Sequence, residues 1–212
     1  MIISIISQKG GTGKSTIAIN LSLALAGLSG KPDVALVDCD LQRSSIDTLS
    51  IHKRDNLALY AAHEKPHRLI EKLKHKVVVV DTTGYSSDAA YQCAAVSNVV
   101  LVPCKPSPLD VRSMAVTVKA LAVILEKYNP SLKCRFIVNM VAAGTTLAKE
   151  IRATLEKLYP SIPVMDTVLH ERQAYKQSLL SGLSCIEFDK RSLAAQEIGQ
   201  LFLEVVRIAK GK

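Results

Sequence analysis

The sequence contains no tryptophan, and only 4% of its 212 residues are aromatic. Proteins that hold single-stranded nucleic acid usually stack the bases on exposed aromatic rings. Binding of that kind is therefore not expected here. If the chain binds nucleic acid, contacts with the phosphate backbone should dominate.

Long apolar runs are also missing. No stretch approaches the roughly 18 apolar residues of a membrane-spanning helix, so we expect no membrane partner. The opening residues MIISIIS carry no basic lead and run at once into a glycine-rich loop, so no signal peptide is expected. These features favour a cytoplasmic protein.

The cysteines are few and scattered. There are five of them, an odd number, and none forms a C-x-x-C pair: Cys39, Cys93, Cys104, Cys134 and Cys185. This pattern predicts reduced, mostly buried thiols and neither a disulfide framework nor a metal site.

Acidic residues are fewer than basic ones, and the formal net charge is +8. The excess lies in residues 52–76, with seven basic and three acidic side chains, and in residues 105–135, with six and two. A polyanionic partner would explain this distribution, and so would two solvated helical stretches that carry lysine. The sequence leaves both interpretations open.

Short apolar runs alternate with longer helical patterns along the chain. The apolar runs predict buried strands over residues 2–7, 34–38, 77–81, 99–103 and 136–141. The helical patterns cover residues 14–28, 86–97, 109–128 and 145–159. We therefore predict an α/β fold, a mostly parallel, doubly wound sheet with helices on both faces, in one domain spanning residues 1–212.

The last 21 residues form an amphipathic pattern. We expect this helix to pack on the sheet and not to lie on a membrane surface. A membrane helix needs a cation-rich polar face, and by their spacing Glu197 and Glu204 are expected to interrupt that face.

The stretch ISQKGGTGKSTIAIN, residues 6–20, reads as strand, glycine loop and helix. Gly10, Gly11 and Gly13 allow backbone N–H groups to converge on phosphate oxygens. Lys14 opens a helix whose dipole favours the same anion, and Ser15 is placed to ligate Mg²⁺. The pattern predicts a nucleotide phosphate site but leaves the second lysine, Lys9, unexplained.

Acidic residues follow two other predicted strands. Asp38 and Asp40 end the run VALVDCD, and Asp81 ends VVVVD shortly before Gly84. The carboxyl ends of parallel strands share one edge of a sheet, where ligands bind. Asp81 suits a Mg²⁺ site, and Asp40 is the better candidate for orienting an attacking water.

Five segments together resemble one family. KGGTGKST is similar to the deviant Walker A box of the ParA/MinD superfamily, LVDCDLQ to its first switch segment, and VVVVDTTG to its Walker B strand and second switch. VPCKPSPLDVRSM and RQAYKQSLLSG resemble short plasmid-partition ParA proteins, which lack an N-terminal DNA-reading domain.

The resemblance implies an ATPase with a P-loop fold that needs ATP and Mg²⁺ and forms an ATP-sandwich homodimer. Lys9 would cross to the partner's phosphates, as an arginine finger does, and Asp110 would lie at the dimer interface and hold Lys9 in the monomer. Catalysis would fall to Lys9, Lys14 and Asp40. The implied nucleotide-contacting residues are Gly10, Gly11, Thr12, Gly13, Lys14, Ser15, Thr16 and Asn139. The implied metal ligands are Ser15, Asp38 and Asp81.

The resemblance further implies non-specific DNA binding by the ATP-bound dimer, association with the nucleoid, and a ParB-type centromere-binding partner that stimulates hydrolysis. It directs attention to basic residues of the C-terminal half: Arg172, Lys176, Arg191 and Arg207. The charge distribution directs attention to residues 52–76 and 105–135 instead, and the sequence does not decide between the two.

Two departures and three alternatives accompany this interpretation. Leu41 replaces the usual proline of the first switch, and Thr82 and Thr83 follow Asp81. The main alternative is a MinD-like ATPase that cycles on a membrane. A small-molecule enzyme or an electron donor on the same fold is the second, and its iron-protein version would need cysteines placed to hold a cluster between subunits. The third is an inactive scaffold, which would not need both lysines and the aspartates.

Overall fold

The computed structural model describes residues 1–29, 33–84 and 88–211. Its strands are β1 (Ile2–Ile5), β2 (Val34–Asp38), β3 (Leu57–Ala61), β4 (Val77–Asp81), β5 (Val99–Cys104), β6 (Lys133–Val141) and β7 (Val164–His170). Its helices are α1 (Lys14–Ser29), α2 (Ser44–Leu49), α3 (Pro66–Lys72), α4 (Asp88–Ala95), α5 (Pro108–Lys127), α6 (Leu147–Leu158), α7 (Gln173–Leu180), α8 (Cys185–Phe188) and α9 (Leu193–Ala209).

The seven strands of the described residues pair in parallel in one sheet of order β3-β2-β4-β1-β5-β6-β7. The β-branched runs of β2, β4 and β5 are buried almost throughout, as strands covered on both faces must be. The predicted fold class is therefore confirmed. The predicted helix over residues 86–97 begins, within the described residues, at Asp88.

Side chains that alternate along the strands pack into two apolar layers, one on each face of the sheet. On one face, α1 and α9 pack with α8 over side chains such as Ile3, Leu36 and Leu101. On the other face, α3 to α6 cover side chains such as Val80 and Val102. Both faces of the sheet carry helices because successive strand residues point to opposite sides.

The two edge strands, β3 and β7, were not predicted from the sequence. An edge strand is less enclosed than a central one, so its apolar pattern is weaker. β3 (LALYA) lies inside the basic stretch 52–76, and β7 (VMDTVLH) contains polar residues. The short helices α2, α3, α7 and α8 were missed as well, since each offers few turns for a periodic pattern.

The terminal helix α9 packs on the sheet, as expected, through Ile198, Leu201 and Val205. The expectation that Glu197 and Glu204 belong to its polar face is wrong, because both are buried against β7. Glu204 accepts hydrogen bonds from the N–H groups of Asp166 and Thr167 at 2.7 and 2.9 Å. Glu197 accepts one from the N–H of His170 at 3.2 Å.

The spacing explains how both contacts fit. Seven residues of helix span about 10 Å, and so do three residues of a strand. The two carboxylates therefore satisfy N–H groups that an edge strand would otherwise expose to other chains.

The five cysteines are all buried and free, as predicted. Within the described residues there is no cluster of three or more His, Cys, Asp or Glu side chains able to hold a metal. No described helix is long and apolar enough to cross a membrane.

Candidate functional site

The glycine loop leaves the central strand β1 and enters α1 at the carboxyl edge of the sheet. β1 lies between β4 and β5, so the loop is flanked by the segments that follow both strands. Gly11 and Gly13 have φ angles of +68° and +88°, the left-handed region that glycine adopts without strain. The loop thus has the backbone form that turns N–H groups toward an anion.

Asn139, at the end of β6, braces this loop from the side. Its Nδ2 donates to the Thr12 carbonyl at 2.7 Å, and its Oδ1 accepts from the Met140 N–H at 2.9 Å. The side chain is 6% exposed. The family resemblance implies that Asn139 contacts the nucleotide; the structure gives it in addition a loop contact that the sequence did not reveal.

Gly13→Ala is expected to lower the free energy of unfolding by roughly 3 kcal/mol and to abolish nucleotide binding. A Cβ at Gly13 would lie 2.4 Å from Asn139 Nδ2, in addition to the cost of a left-handed alanine. Urea denaturation and nucleotide titration measure the two effects. Gly10→Ala is the control for stability, since a Cβ there meets nothing within 4 Å. Equal destabilisation by both variants would contradict this account.

Lys14 is buried beneath the loop. Its side chain is near Gly84, where an added Cβ would lie 3.2 Å from Lys14 Nζ and 3.2 Å from Gly10 Cα. Burial lowers the pKa of Lys14, while the carboxylates of Asp81 and Asp40 act in the opposite direction. The ammonium therefore sits where the phosphate loop and the segment after β4 converge.

Asp38 and Asp81 are register partners at the ends of β2 and β4. Asp38 is fully buried, and its carboxylate accepts from the N–H groups of Asp40, Ser45 and Ile46 at 2.9, 3.0 and 3.2 Å. The carboxylate thus holds the loop between β2 and α2 in place. The sequence analysis named Asp38 among the candidate metal ligands; in the structure its oxygens accept hydrogen bonds from backbone N–H groups.

One carboxylate oxygen of Asp81 is satisfied by a hydrogen bond and the other is not. Its Oδ2 accepts from the Ser45 hydroxyl at 2.5 Å, but its buried Oδ1 has no hydrogen-bond partner among the described residues. Burial raises the pKa of Asp81 to about 6, and the neighbouring Ser45, Ser15 and Lys14 oppose that rise. An unsatisfied carboxylate oxygen beside a serine hydroxyl fits a hard cation such as Mg²⁺.

Lys9 behaves differently from Lys14. Its Nζ lies 3.0 Å from Asp110 Oδ1 in the first turn of α5, and its side chain is 39% exposed. The dipole of α5 favours a carboxylate at this position. Leu41 and Leu109 are 76% and 68% exposed, and each follows a strand end at the edge of the sheet that bears the phosphate loop. This edge therefore carries both a surface cation and exposed apolar area.

Sequence reasoning missed Lys105. Its Nζ lies 3.7 Å from the position that a Cβ on Gly11 would occupy, so a third ammonium approaches the phosphate loop. The available signal was its position directly after β5, beside the central strand.

A small cavity of about 110 Å³ lies beside Asn139. Thr16 and Ile17 of α1 form one wall, and the segment from His170 to Lys176 forms another. The cavity therefore adjoins the start of the helix that follows the phosphate loop.

The four basic residues predicted to contact DNA do not share one environment. Arg172 donates through Nε and Nη2 to Glu197 at 2.8 and 2.6 Å, so its charge is engaged inside the fold. Lys176 is exposed and lies 3.5 Å from Glu171. Arg191 and Arg207 are exposed, and Arg207 borders a different pocket with Asp166.

The basic side chains of residues 52–76 and 105–135 also differ in environment: some form ion pairs within the fold and others are exposed. In residues 52–76, Arg54 pairs with Glu187 at 2.6 Å and Lys76 with Asp33 at 2.8 Å. Arg112, Lys119 and Lys127 of α5 are exposed. Part of the basic excess is thus neutralised within the fold.

Known proteins resemble this chain along most of its length. Residues 3–185 match the family described as the CobQ/CobB/MinD/ParA nucleotide binding domain. The maintenance of carboxysome distribution protein A of Halothiobacillus neapolitanus is 31% identical over 216 residues, covering 96% of this chain and 95% of that protein.

Two solved structures share the fold. An ATP complex of McdA from Cyanothece superposes with a TM-score of 0.75 at 15% identity, covering 99% of this chain and 96% of that one. The septum site-determining protein MinD of Pyrococcus horikoshii OT3, complexed with Mg-ADP, gives a TM-score of 0.74 at 21% identity, with coverages of 98% and 96%.

Proposed function

The chain belongs to the CobQ/CobB/MinD/ParA nucleotide-binding domain family, and we propose that it is a Mg²⁺-dependent ATPase that positions a cargo through an ATP-dependent homodimer bound to DNA. The observation that carries this proposal is the different placement of two lysines. Lys14 is buried under the phosphate loop, whereas Lys9 lies at the surface and pairs with Asp110.

In the proposed reaction, water attacks the γ-phosphorus of ATP, the bond to the bridging oxygen breaks, and ADP and phosphate leave. The loop N–H groups of residues 10–13 and the Lys14 ammonium hold the phosphates and offset their charge. Asp40 is partly exposed beyond the end of β2 and orients the water. A Cβ added to Gly84 would lie 3.2 Å from both Lys14 Nζ and Gly10 Cα, so Gly84 is placed to respond to the terminal phosphate.

Mg²⁺ fits this site. Ser15 and Asp81 would hold it, since the unsatisfied Oδ1 of Asp81 and the Ser15 hydroxyl offer hard oxygen ligands. The ion would neutralise charge on the β- and γ-phosphates during hydrolysis. Asp38 contributes by holding the loop that carries Asp40.

Dimerisation is proposed to complete the site. Released from Asp110, Lys9 would reach the phosphates held by the partner, where a second cation stabilises the charge that develops during transfer. A partly exposed ion pair contributes about 0.2–1 kcal/mol, so its loss is a small barrier. The exposed Leu41 and Leu109 supply apolar area for such an interface.

Two features support DNA as the polymer to which the dimer binds. One is the net charge of +8. The other is the set of exposed basic side chains on α5 and at Lys176, Arg191 and Arg207, which favour sequence-independent phosphate contacts. The likeness to a carboxysome distribution protein favours a protein assembly as cargo, recognised through a cargo-bound stimulating partner. A ParB-type centromere-binding protein would be that partner if the cargo is plasmid or chromosomal DNA.

Size-exclusion chromatography and binding to arbitrary duplex DNA, each with ATP–Mg²⁺, with ADP–Mg²⁺ and without nucleotide, test the proposal. We expect a dimer with ATP only, at least tenfold tighter DNA binding in that state, and a steep loss of affinity with added salt. Unchanged DNA affinity in all three states would overturn the DNA role. ATP-dependent binding to anionic liposomes in its place would indicate a membrane-cycling ATPase.

A further inference from the structure

The buried carboxylate of Glu197 joins the terminal helix α9 to the wall of the cavity beside Asn139. Its side chain is 9% exposed and lies outside the span, residues 3–185, that matches the nucleotide-binding family. Burying a carboxylate costs free energy unless its oxygens accept hydrogen bonds. The hydrogen-bond partners of Glu197 therefore indicate its role.

Among the described residues, every hydrogen bond to the Glu197 side chain comes from the segment 170–175. Oε1 accepts from Arg172 Nε and Nη2 at 2.8 and 2.6 Å and contacts His170 Nδ1 at 2.8 Å. Oε2 accepts from the Tyr175 hydroxyl at 3.0 Å and from the His170 N–H at 3.2 Å. One side chain thus gathers three residues that are not adjacent in sequence.

The same three residues line the cavity. His170, Arg172 and Tyr175 form its wall on the β7 side, facing Thr16 and Asn139. The opposite wall is built from α1 and β6, whose buried side chains belong to the core. Residues 171–172 connect the end of β7 at His170 to the start of α7 at Gln173, so the position of this segment depends on the contacts that it makes.

The hydrogen-bond donors Tyr175 and Arg172 suit an ionised Glu197 carboxylate as their acceptor. Burial raises the pKa of Tyr175, and the Glu197 carboxylate raises it further, so the phenol stays protonated and able to donate. Arg172 supplies a compensating positive charge through two N–H groups on one oxygen. Replacing the carboxylate with an amide would leave Arg172 uncompensated and point an NH₂ group at its donors.

We propose that Glu197 is a positioning residue: by holding His170, Arg172 and Tyr175 it fixes one wall of the cavity beside Asn139, where the base of the bound nucleotide would lie. This inference rests on the proposed ATP binding and on the nucleotide contact that the family resemblance implies for Asn139. It also gives Arg172 a structural role in place of the predicted DNA contact.

The test compares two ligands that differ in the base. ATP probes the phosphate loop and the cavity together, whereas inorganic tripolyphosphate probes the phosphate loop alone. With Mg²⁺ present, we expect Glu197→Gln to weaken ATP binding about tenfold by titration calorimetry and to change tripolyphosphate binding less than twofold. A purely structural role would weaken both ligands in parallel, and that result would overturn the proposal.

Glu204→Gln is the matched control. Glu204 lies two turns along the same helix, is equally buried and caps the same strand, but contacts Asp166 and Thr167 away from the cavity. We expect it to lower the urea midpoint as Glu197→Gln does while leaving the ratio of the two affinities unchanged. The same selective loss of ATP binding in Glu204→Gln would also overturn the proposal.

Tyr175→Phe keeps the test decisive if Glu197→Gln does not fold. It removes one hydrogen bond to Glu197 and retains the ring, and a selective loss of ATP affinity of about threefold is expected. Equal affinities of this variant and the wild-type protein for ATP would count against the proposal. If the wild-type protein binds neither ligand, the proposed ATPase function itself fails, an outcome distinct from those above.

Discussion

Lys14→Ala is expected to lower ATP affinity at least 100-fold, whereas Lys9→Ala is expected to leave the ATP affinity of the monomer within about twofold. Lys14 is buried between the phosphate loop and Gly84, and charge-assisted contacts of such a group with phosphate are strong. Lys9 is turned outward toward Asp110, so its removal takes nothing from the phosphates of its own subunit.

The loss in Lys9→Ala should appear in assembly and turnover. Without the second cation we expect no ATP-dependent dimer and a fall in hydrolysis rate of roughly 10³, the lower range for a cation supplied in trans. Fluorescent-nucleotide titration, size-exclusion chromatography and phosphate release measure the three quantities.

Lys157→Ala, which removes an exposed lysine from the last turn of α6, is the matched control and should change none of these quantities. Equal loss of ATP affinity in the Lys9 and Lys14 variants would rule out the cross-subunit role.

Asp40→Asn is expected to reduce hydrolysis at least 100-fold and to accumulate the ATP-bound dimer. Asp40 Oδ1 accepts from the Gln42 N–H at 2.9 Å, a turn contact that the asparagine carbonyl preserves. The substitution therefore removes the negative charge that orients the water and leaves the loop geometry in place. Single-turnover phosphate release and chromatography with ATP–Mg²⁺ report the two effects.

Asp40→Ala is the useful comparison, because it removes both the charge and the turn contact. If the loop geometry alone matters, alanine slows hydrolysis and asparagine does not. If Asp40→Asn hydrolyses ATP at the wild-type rate, another residue must orient the water.

Much of this protein follows from local sequence. The order of glycines and lysines from Lys9 to Ser15 predicts the phosphate loop, because backbone freedom and a helix start are local properties. The buried central strands are evident because both of their faces must be apolar. Asp38 and Asp81 fall side by side because the ends of adjacent parallel strands coincide.

The roles of the buried polar side chains were decided by tertiary structure alone. Glu197 and Glu204 have the helical spacing of a polar face, yet they turn toward β7 because the N–H groups of an edge strand need acceptors. Asn139 reaches Thr12 across 127 positions of sequence.

Lys105 and Arg172 illustrate the same limit. Sequence shows that each is a cation, but not that one lies over the phosphate loop while the other is bound to a buried carboxylate. The sequence by itself determined the fold class and the phosphate-binding loop, because those depend on periodicity and on neighbouring residues. Only the packing of α9 against β7 decided which charges serve the fold and which remain free for ligands, because pairing between distant residues depends on their distance in space.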